Sequence, residues 1–578
     1  MSKDVAGRGD AVLVLDGDMV PALTIARSLG RLGLRIVVAA HEAKPLAGYS
    51  RHVERTLTYP DPLTEEQAFL GWCKQVIAEQ DYDLIVPVTE RTVVPMAALA
   101  SLPGGDRIAV AAAESLNIAL DKNKTIQLAK QLGIPTPKTV YVEGHEQLRA
   151  GIGPLQFPVV IKPSHSIGEN DSHRMQLRVE YAFDETDLEN KLQHYFRYGP
   201  VLLQEYVLGE GVGIELIAAH GNTVFSFQHR RLHEMPLTGG GSSLRVSEAV
   251  APELLRASKS LMKAMSWHGV AMVEFKWNPI NRRFALMEIN GRFWGSLPLA
   301  VAAGADFPAM LYELYRHGRV APRLEAKPGV YCRKLSSDLY WHELVFRREA
   351  PAQLVRFPTG REMFRDWLRI FSWNHYFDVQ QWRDIRPGLV DLQRIVSRQF
   401  SRAVNLVNDR RAAARERQAW RKGTVDELLR DAGQVLFVCY GNINRSALAE
   451  SYFRKRVPAE RVEAVSAGFH QVEGRPADPV MVDVAASRGL DLGASLSRTL
   501  NDQMVHGSDV IFVMELKHKQ QLCERYPEAC GKTFLLNAGA SQQDSAVEIA
   551  DPYGQPREVY EACAELVVAS VDRLAASL

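Results

Sequence analysis

The sequence predicts an α/β protein of more than one domain that ends in a doubly wound parallel sheet. From residue 1 to about residue 325, apolar strand-like runs alternate with amphipathic helical segments, which is the pattern of layered sheets and helices. Near the C-terminus, the apolar run Val435–Val438 passes through a loop into a helical segment that begins at Ala447. A chain of 578 residues has room for about two to four domains, each with its own core.

The first elements follow a Rossmann-like order. The apolar runs Ala11–Leu15 and Leu34–Ala39 predict two strands, and the segment Val20–Leu32 between them predicts a helix. Asp83–Thr89 predicts a later strand of the same layer. The glycines after the first strand do not form a clear dinucleotide-binding pattern, so no dinucleotide is assigned to this layer.

Charged residues next occur at the ends of several predicted strands. The segments are Leu120–Ile126, Phe157–Pro163, Leu203–Gly209, Val273–Phe275 and Leu286–Arg292. In this order they resemble the ATP-grasp superfamily, which couples ATP hydrolysis to carboxylate activation. The resemblance implies an ATP-grasp fold, with a Rossmann-like N-terminal layer and two α+β subdomains.

The resemblance assigns the nucleotide to named positions. Lys122 and Lys162 would reach the phosphates as point charges. Glu205 would accept a hydrogen bond from the adenine amino group, and the backbone of Val207 would contact the edge of the ring. The carboxylate that often holds the ribose in this superfamily is not in its common place here, and Glu210 would substitute for it.

Glu215 is the alternative to Glu210 for the ribose, and Lys162 could instead be a solvated strand end.

A metal site is the second implication of the resemblance. Glu274 and Glu288, on paired strands, offer hard oxygens for Mg²⁺ or Mn²⁺ bound to the triphosphate, with Asn290 beside them. Arg292 lies where it could stabilise the transferred phosphoryl group. Glu288 alone could be a surface carboxylate, but Glu288 and Asn290 alternate within an apolar run and therefore share one strand face.

The segment from His229 to Ser243 is a candidate site for the acid substrate. Arg230 and Arg231 are adjacent on a predicted strand, so their side chains face opposite ways and at most one of them enters a site. The loop Gly239–Gly241 permits close backbone approach. A solvated strand with a flexible loop explains this pattern equally well.

Residues 326 to about 430 contain no catalytic pattern. Trp341, Trp367, Trp373 and Trp382 occur there at irregular intervals and are predicted to be core-facing aromatics of helices. Between Ser401 and Gly423, seven basic residues accompany two acidic ones in a helical pattern. This stretch predicts a solvated connecting helix, with a weak contact to anionic partners as the alternative.

The loop after Val435–Val438 has the composition of a phosphate-binding site. It contains Cys439, Tyr440, Gly441, Asn442, Ile443, Asn444, Arg445 and Ser446. Backbone N–H groups and the following helix N-terminus form an anion cradle, and a cysteine at its mouth is held as a thiolate nucleophile. Arg445 can grip two phosphoryl oxygens, and Ser446 can donate to the thiolate. The alternative is a buried cysteine at a strand end beside a turn.

This loop resembles the low-molecular-weight protein tyrosine phosphatase family. The resemblance covers about Gly433 to Leu578 and includes Ser466–Gly468, Gly474–Pro479, Asp509–Met514 and Ala550–Gly554. It implies that Asp551 is the general acid, which protonates the leaving oxygen and then activates water. Without Cys439, Asp551 would be interpreted as part of an Asp-Pro turn.

The sequence departs from this family at two positions. Asn444 occupies the place of a second cysteine, so protection of the nucleophile by a neighbouring disulfide is excluded. Val472 is aliphatic where an aromatic wall is common, although Phe469 is nearby. Ile443 matches the tyrosine-phosphatase branch, whereas a phosphoarginine phosphatase would be expected to have threonine there.

The composition favours a bacterial cytoplasmic protein. A net charge of +1 and 24% charged residues indicate no general attraction to nucleic acid or membranes. Apolar runs are shorter than the roughly 18 residues of a membrane helix, and the polar N-terminus lacks a signal segment. The six cysteines are scattered, with no metal or disulfide spacing.

These features predict four domains: a Rossmann-like layer (1–115), an ATP-grasp domain (116–325), a helical extension (326–432) and a phosphatase domain (433–578). The predicted function is an ATP-dependent carboxylate-amine ligase acting through an acyl phosphate, joined to a cysteine-dependent phosphomonoester hydrolase. The predicted partners are a small-molecule carboxylate and amine and a phosphomonoester or phosphoprotein, and a homo-oligomer is left open.

One alternative is a ligase regulated by a non-catalytic, phosphate-recognising C-terminal module. The other is a tyrosine phosphatase with an ATP-sensing N-terminal region.

Overall fold

The computed structural model describes residues 10–578 except residues 80, 145–146, 148–151, 154, 165–166, 170–173, 177–178, 197, 352, 541–546 and 556. The polar N-terminal segment and part of the loop after Lys162 therefore lie outside the described residues. The chain divides into two compact units, Met1–Val396 and Ser397–Leu578.

The strands of the first unit fall into separate sheets. In chain order they are β1 (Ala11–Val14), β2 (Arg35–Ala40), β3 (Val53–Thr58), β4 (Leu84–Val86), β5 (Thr139–Val142), β6 (Val159–Pro163), β7 (Ile167–Glu169), β8 (Arg174–Gln176), β9 (Glu180–Ala182), β10 (Val201–Glu205), β11 (Glu210–Ala219), β12 (Asn222–Met235), β13 (Gly241–Glu248), β14 (Gly269–Asn278), β15 (Arg283–Asn290), β16 (Tyr331–Arg333) and β17 (His375–Phe377).

Helices connect and cover these sheets. They are α1 (Val20–Arg31), α2 (Glu66–Glu79), α3 (Glu90–Leu99), α4 (Ala113–Leu120), α5 (Lys122–Gln131), α6 (Glu185–Tyr195), α7 (Pro252–Ala264), α8 (Leu297–Ala302), α9 (Phe307–His317), α10 (Leu335–Arg347), α11 (Gly360–Leu368) and the long α12 (Ile385–Arg421), with 3₁₀ turns at Leu46–Tyr49, Gly105–Arg107 and Arg369–Phe371.

The Rossmann-like layer is confirmed. Its strands are parallel in the order β3-β2-β1-β4, and β1 pairs with both β2 and β4. Val12 and Val14 of β1 face one hydrophobic cluster, whereas Leu13 and Leu15 face another. Because both faces are covered, the strand is apolar throughout instead of alternating with polar residues.

Two larger sheets, together with an antiparallel pair formed by β7 and β8, make up the α+β part of the unit among the described residues. One has the order β5-β10-β6-β9 and is antiparallel. The other has the order β15-β14-β11-β12-β13-β16-β17 among the described residues. The first carries Lys162 and Glu205, and the second carries Glu274, Glu288 and Asn290. The predicted ATP-grasp architecture therefore agrees with the observed sheets.

The second unit is built on a parallel sheet. Its strands are β18 (Gln434–Cys439), β19 (Glu463–Gly468), β20 (Val510–Val513) and β21 (Thr533–Leu535), in the order β19-β18-β20-β21. Its helices are α13 (Thr424–Arg430), α14 (Arg445–Arg456), α15 (Pro479–Ala486), α16 (Asp502–Gly507), α17 (Leu516–Arg525) and α18 (Arg557–Ala575), with 3₁₀ turns at Pro527–Lys532 and Leu536–Ala538.

Strand β18 lies between β19 and β20. The chain leaves β18 toward β19 on one side and later continues with β20 on the other side, so the carboxyl end of β18 is a topological switch point. Open parallel sheets bind ligands at such a switch point. Cys439 is the last residue of β18 and lies there.

The expected burial of the tryptophans is wrong for three of the four. Trp341 is 5% exposed, but Trp367, Trp373 and Trp382 are 52%, 102% and 95% exposed. Trp367 belongs to α11, which has no buried residue among those described, and Trp373 and Trp382 lie outside helices, on either side of β17. Aromatic composition alone did not reveal that this stretch leaves its large side chains uncovered.

The expectation that no cysteines are spaced for a disulfide is also wrong. Cys523 and Cys530 form one, with their Cα atoms 5.1 Å apart. Cys523 lies in α17 and Cys530 in the following 3₁₀ turn, so the chain reversal at Tyr526 brings them together. The remaining cysteines of the chain are free and buried.

The basic stretch is helical, as predicted, and forms the second half of α12. Most of this half is exposed, but Glu416 and Trp420 near its end are buried. None of the helices among the described residues combines the length and hydropathy required to cross a lipid bilayer.

Candidate active sites

The first site is the loop between β18 and α14. The Cys439 sulfur, in a residue only 2% exposed, lies 3.0 Å from the Ser446 hydroxyl oxygen. The backbone N–H of Asn442 donates to this sulfur over 3.2 Å. The loop therefore places a backbone N–H and a hydroxyl at hydrogen-bond distance from the sulfur.

Asn442 supports the shape of this loop. Its φ of +54° is in the left-handed region, which asparagine tolerates better than most residues. Its side-chain amide donates to the hydroxyls of Ser446 and Ser466 over 2.9 and 2.8 Å, and its carbonyl accepts from the backbone N–H of Arg498 over 2.8 Å. Asn442 thus links the loop to two neighbouring segments.

Arg445 brings the distant acid into the site. Its guanidinium is 1% exposed and lies 2.8 Å from a carboxylate oxygen of Asp551. It also donates to the Glu515 carboxylate over 2.6 Å and to the Ile549 carbonyl over 2.8 Å. The structure therefore places Cys439, Arg445 and Asp551 together, although Asp551 is more than a hundred residues from the loop in sequence.

Glu515 was not identified from the sequence. It lies two residues beyond the end of β20 and contacts one edge of the Arg445 guanidinium. Burial acts to raise the pKa of Glu515, but hydrogen bonds from Lys517 and Arg445 outweigh it and hold the pKa below its ordinary value. A carboxylate within two residues of the end of a buried strand of the same sheet was the available signal.

The walls of the loop differ from the expected ones. Phe469 is 6% exposed and stacks on His518, so it does not offer a free face. Tyr440 is 52% exposed and meets His470 edge-on, with ring centroids 5.9 Å apart. Val472 is 56% exposed. Tyr440 and His470 therefore present accessible aromatic surface at the loop.

Asn444 occupies a buried position behind the loop. It is 2% exposed, and neither its amide nitrogen nor its carbonyl oxygen has a hydrogen-bond partner among the described residues. The neighbouring Ile443 accepts a hydrogen bond from the backbone of Asp478. Gly441 accepts one from Arg475 over 2.6 Å. These contacts anchor the outer part of the loop.

The second site lies on the seven-stranded sheet. Glu274 and Glu288 are directly paired on β14 and β15. The Asn290 amide nitrogen donates to both carboxylates, over 3.1 and 3.2 Å. Arg231 of β12 lies 2.5 Å from the Glu274 carboxylate. The three predicted metal-site residues therefore lie together. Arg231, and not the adjacent Arg230, is the arginine that accompanies them.

The cations around this carboxylate pair oppose the effect of burial on the pKa of each carboxyl group. Burial raises the pKa of Glu274, although Arg231 opposes this effect. For Glu288 burial also acts to raise the pKa, but Lys122 and Lys162 outweigh it and hold the pKa below its ordinary value. The structure thus brings both predicted phosphate-binding lysines close to the Glu288 carboxylate.

Lys162 itself is strongly perturbed. It is 8% exposed, and burial lowers the pKa of its ammonium from 10.5 to about 8, against the favourable charge of Glu288. Desolvation of the charged form is the cause, and it brings the pKa of this ammonium much closer to physiological pH than that of an exposed lysine.

The remaining nucleotide residues occupy different surroundings. Glu205 accepts a hydrogen bond from the Lys138 backbone over 2.9 Å, and Val207 lies in the segment after β10. Glu210 is exposed and lies 3.3 Å from Arg230. Arg292 donates to the Phe293 carbonyl over 2.9 Å and to Glu90 over 3.3 Å.

Glu215 is fully buried, 2.9 Å from His229, and accepts a hydrogen bond from Ser296. Of the two ribose candidates, Glu210 is therefore the accessible one.

The adjacent arginines face opposite ways, as predicted. Arg231 points to Glu274, whereas Arg230 lies 2.6 Å from Glu248. Gly213 of β11 lies directly between Glu274 and His229 in the sheet, and a Cβ there would come 2.5 Å from the His229 ring. The missing side chain at Gly213 therefore leaves room for His229 beside the carboxylates.

The residues present fit a divalent cation shared with a triphosphate. Two carboxylates and an amide oxygen are hard ligands, and Mg²⁺ takes its other ligands from phosphate oxygens and water. In the described part of the chain, no group of three or more His, Cys, Asp or Glu side chains could hold a metal ion by itself.

Two family models match the chain. The model of low molecular weight phosphotyrosine protein phosphatases matches residues 434–578. The model described as ATP-grasp in the biosynthetic pathway with Ter operon matches residues 197–337.

Curated relatives match the C-terminal unit. The chain is 36% identical over 138 residues to the probable low molecular weight protein-tyrosine-phosphatase EpsP of Ralstonia nicotianae, covering 24% of this chain and 90% of the relative. It is 39% identical over 127 residues to Etp of Escherichia coli, covering 22% and 82%. A protein-arginine-phosphatase of Geobacillus stearothermophilus is 36% identical over 146 residues, covering 25% and 95%.

Solved structures match each unit separately. An L-amino acid ligase from Bacillus licheniformis is 18% identical, with a TM-score of 0.41, over 55% of this chain and 78% of the ligase. The YwlE arginine phosphatase from Geobacillus stearothermophilus is 35% identical, with a TM-score of 0.23, over 25% of this chain and 90% of the phosphatase.

Proposed function

The chain belongs, through residues 434–578, to the low molecular weight phosphotyrosine protein phosphatase family, and we propose that it is a bifunctional enzyme. One part is an ATP-grasp domain that acts as a carboxylate-amine ligase. The other hydrolyses a phosphomonoester through phosphocysteine. Residues 1–325 would supply the ligase together with β16 and β17, which extend its seven-stranded sheet, and α12 leads from there into the phosphatase unit.

The meeting of Cys439, Arg445 and Asp551 carries the phosphatase proposal. The Cys439 thiolate attacks phosphorus, an S–P bond forms, and the P–O bond to the leaving group breaks. Asp551 donates its proton to the leaving oxygen. Arg445 and the loop N–H groups hold the phosphoryl oxygens, and Ser446 donates to the sulfur.

Hydrolysis then completes the cycle. Asp551, now a carboxylate, takes a proton from water as the water oxygen attacks phosphorus. The S–P bond breaks, inorganic phosphate leaves, and the thiolate is regenerated. Arg445 can exchange its contact with Asp551 for phosphate oxygens, because arginine binds both anions in the same fork geometry.

Tyr440 and His470 favour an aryl phosphate as substrate. Their rings offer accessible aromatic surface next to the loop that begins at Cys439, and a phosphotyrosine ring would gain stacking energy there. Ile443 agrees with this choice. The substrate is therefore proposed to be phosphotyrosine in a protein or a related aryl ester.

Replacing Asp551 by asparagine tests the general acid. We expect hydrolysis of phenyl phosphate to fall about 10²- to 10⁴-fold, because phenolate is a poor leaving group without a proton. Hydrolysis of p-nitrophenyl phosphate should fall much less at the P–O cleavage step, since nitrophenolate leaves unprotonated. Rapid-quench measurement of that step with both esters gives the comparison, and an equal loss for both would reject the assignment.

The paired carboxylates Glu274 and Glu288 beside Lys122 and Lys162 carry the ligase proposal. A substrate carboxylate attacks the γ-phosphorus of ATP, and ADP leaves. An amine then attacks the acyl carbon, phosphate leaves, and an amide forms. Lys122 and Lys162 hold the phosphates, and Arg292 stabilises the transferred phosphoryl group.

Adenine and ribose would be held by Glu205, the Val207 backbone and Glu210. Mg²⁺ or Mn²⁺, held by Glu274, Glu288 and Asn290, would neutralise phosphate charge. Arg231 of β12 lies beside the Glu274 carboxylate and can bind the carboxylate of the substrate acid.

ATP binding is expected to weaken as pH rises through about 8, because the buried Lys162 ammonium then loses its proton. Well above pH 8 the KM for ATP should rise by up to about tenfold per pH unit, since only the charged form binds phosphate well. The Lys162→Arg variant keeps its charge and should show a flatter profile. The KM for ATP of the wild type and of Lys162→Arg is measured between pH 6.5 and 9.5. Identical profiles would exclude Lys162 as the source of the pH dependence.

An assay on one preparation separates the bifunctional enzyme from its alternatives. ADP release screened across acid and amine pairs, together with p-nitrophenyl phosphate hydrolysis, should reveal both activities. Hydrolysis without any ADP release would favour a phosphatase with an ATP-sensing region. ADP release without hydrolysis would favour a ligase with a phosphate-recognising module.

A further inference from the structure

A cleft of about 700 Å³ lies in the first unit, and none of its lining residues is assigned to either reaction. Its walls come from the segment around the 3₁₀ turn Leu46–Tyr49 and from the start of α12. The polar and aromatic side chains that matter here are those of Tyr49, Arg51, Trp382, Arg383 and Arg386.

The cleft carries uncompensated positive charge. Arg51, Arg383 and Arg386 are exposed, and within the described ranges no carboxylate lies at ion-pair distance from any of these guanidinium groups. The carboxylate in the wall, Asp384, is 3% exposed at its side chain and lies 2.8 Å from Arg27. Because Arg27 already neutralises Asp384, the three arginines give the cleft an excess of positive charge.

The two walls are fixed to each other by buried contacts. Asp384 accepts hydrogen bonds from the Ser50 hydroxyl over 2.7 Å and from the Arg51 backbone over 2.9 Å. Arg27 donates to the Asp384 carbonyl over 3.1 Å, and the Arg51 guanidinium donates to the Arg383 carbonyl over 3.3 Å. The arginines therefore project from backbone segments whose positions are set before any ligand arrives.

Trp382 supplies an uncovered aromatic surface beside these charges. It is 95% exposed, so an indole ring is presented to solvent instead of being packed. Planar rings stack on such a surface, and base–aromatic stacking contributes about 1–3 kcal/mol in nucleotide-binding proteins. Arginine guanidiniums bind phosphate in a two-point geometry. A ligand that uses both features has a phosphate group and a planar ring.

We propose that this cleft is a binding site for a phosphate ester of a planar ring, such as a nucleoside monophosphate or an aryl phosphate. The phosphate is held by Arg51, Arg383 and Arg386, and the ring stacks on Trp382. None of the residues that line this cleft is assigned to either proposed reaction, and the proposal does not depend on either activity.

Hydrogen exchange of the full-length protein tests the proposal, because it reports on each segment separately. The probes are AMP, phenylphosphonate and inorganic phosphate at equal concentrations. We expect AMP and phenylphosphonate to slow exchange in peptides covering residues 46–53 and 382–390, by about tenfold at ten times the half-saturating concentration. Inorganic phosphate should slow it much less, because it cannot stack.

Matched variants locate the effect. Arg51→Gln combined with Arg386→Gln, and separately Trp382→Ala, should abolish the protection of these peptides by AMP. Trp373→Ala removes an equally exposed tryptophan outside the cleft and should leave that protection unchanged. Wild-type exchange without ligand in all other peptides establishes that each variant is folded.

Several outcomes would overturn the proposal. They are unchanged exchange in these peptides with all three probes, equal protection by inorganic phosphate, and protection that survives both sets of substitutions. Protection given by a single-stranded oligonucleotide but by none of the small probes would also reject a small-molecule site in favour of nucleic acid.

Discussion

Replacing Cys439 by serine is expected to lower phosphatase activity at least about 10³-fold, because removal of a nucleophile eliminates the covalent route altogether. The serine oxygen is far less acidic than sulfur and cannot form the phosphocysteine. Steady-state hydrolysis of p-nitrophenyl phosphate measures the loss. The fold should be preserved, because the substitution changes one buried atom that already contacts Ser446.

Two controls accompany this prediction. Cys73→Ser removes a free, buried cysteine in α2, where burial raises the pKa of the thiol to about 12, and it should leave hydrolysis unchanged. ADP release by the Cys439→Ser protein should also be unchanged if the two reactions are independent. Wild-type hydrolysis by Cys439→Ser would rule out the thiolate mechanism.

Replacing Glu288 by glutamine is expected to reduce ADP release at least about 10²-fold, because a carboxylate that helps to hold the phosphate-bound cation loses its charge. The amide has nearly the same shape, and its carbonyl can still accept from Asn290. The variant should also need more Mg²⁺ for half-maximal rate. Initial rates of ADP release across a Mg²⁺ titration measure both effects.

Glu253→Gln is the matched control for Glu288. Glu253 lies on α7 and pairs with Arg282, whose side chain is 66% exposed. A salt bridge at the surface contributes about 0–1 kcal/mol to stability, so this change should alter neither the rate nor the Mg²⁺ requirement. Equal losses in Glu288→Gln and Glu253→Gln would point to a general effect on stability instead of metal binding.

Regular patterns made most of the architecture predictable from the sequence. The apolar runs at Ala11–Leu15 and Val435–Val438 are strands because both faces of their sheets are covered. The alternation of Glu288 and Asn290 correctly placed both side chains on one face of β15. These predictions depend on neighbours in the chain, which a sequence displays directly.

Other features depend on contacts between distant segments. Glu515 reaches Arg445 only because β18 and β20 are adjacent in the parallel sheet. The Cys523–Cys530 bond requires the reversal at Tyr526. Trp373 and Trp382 are exposed because no element in the described part of the chain covers them, and residue type alone does not encode this. Their burial was therefore predicted from average behaviour, and wrongly.

The buried end of α12 belongs to the core of the second unit. Glu416 accepts a hydrogen bond from the Leu535 backbone over 2.9 Å and pairs with Lys519. Trp420 stacks near Phe512 and fills the space above Gly539, where a Cβ would come 2.6 Å from its ring. The family match begins at residue 434, yet these residues before it complete the phosphatase core. The connection is therefore not an interchangeable tether, and a phosphatase excised at the edge of the family match would lack part of its own interior.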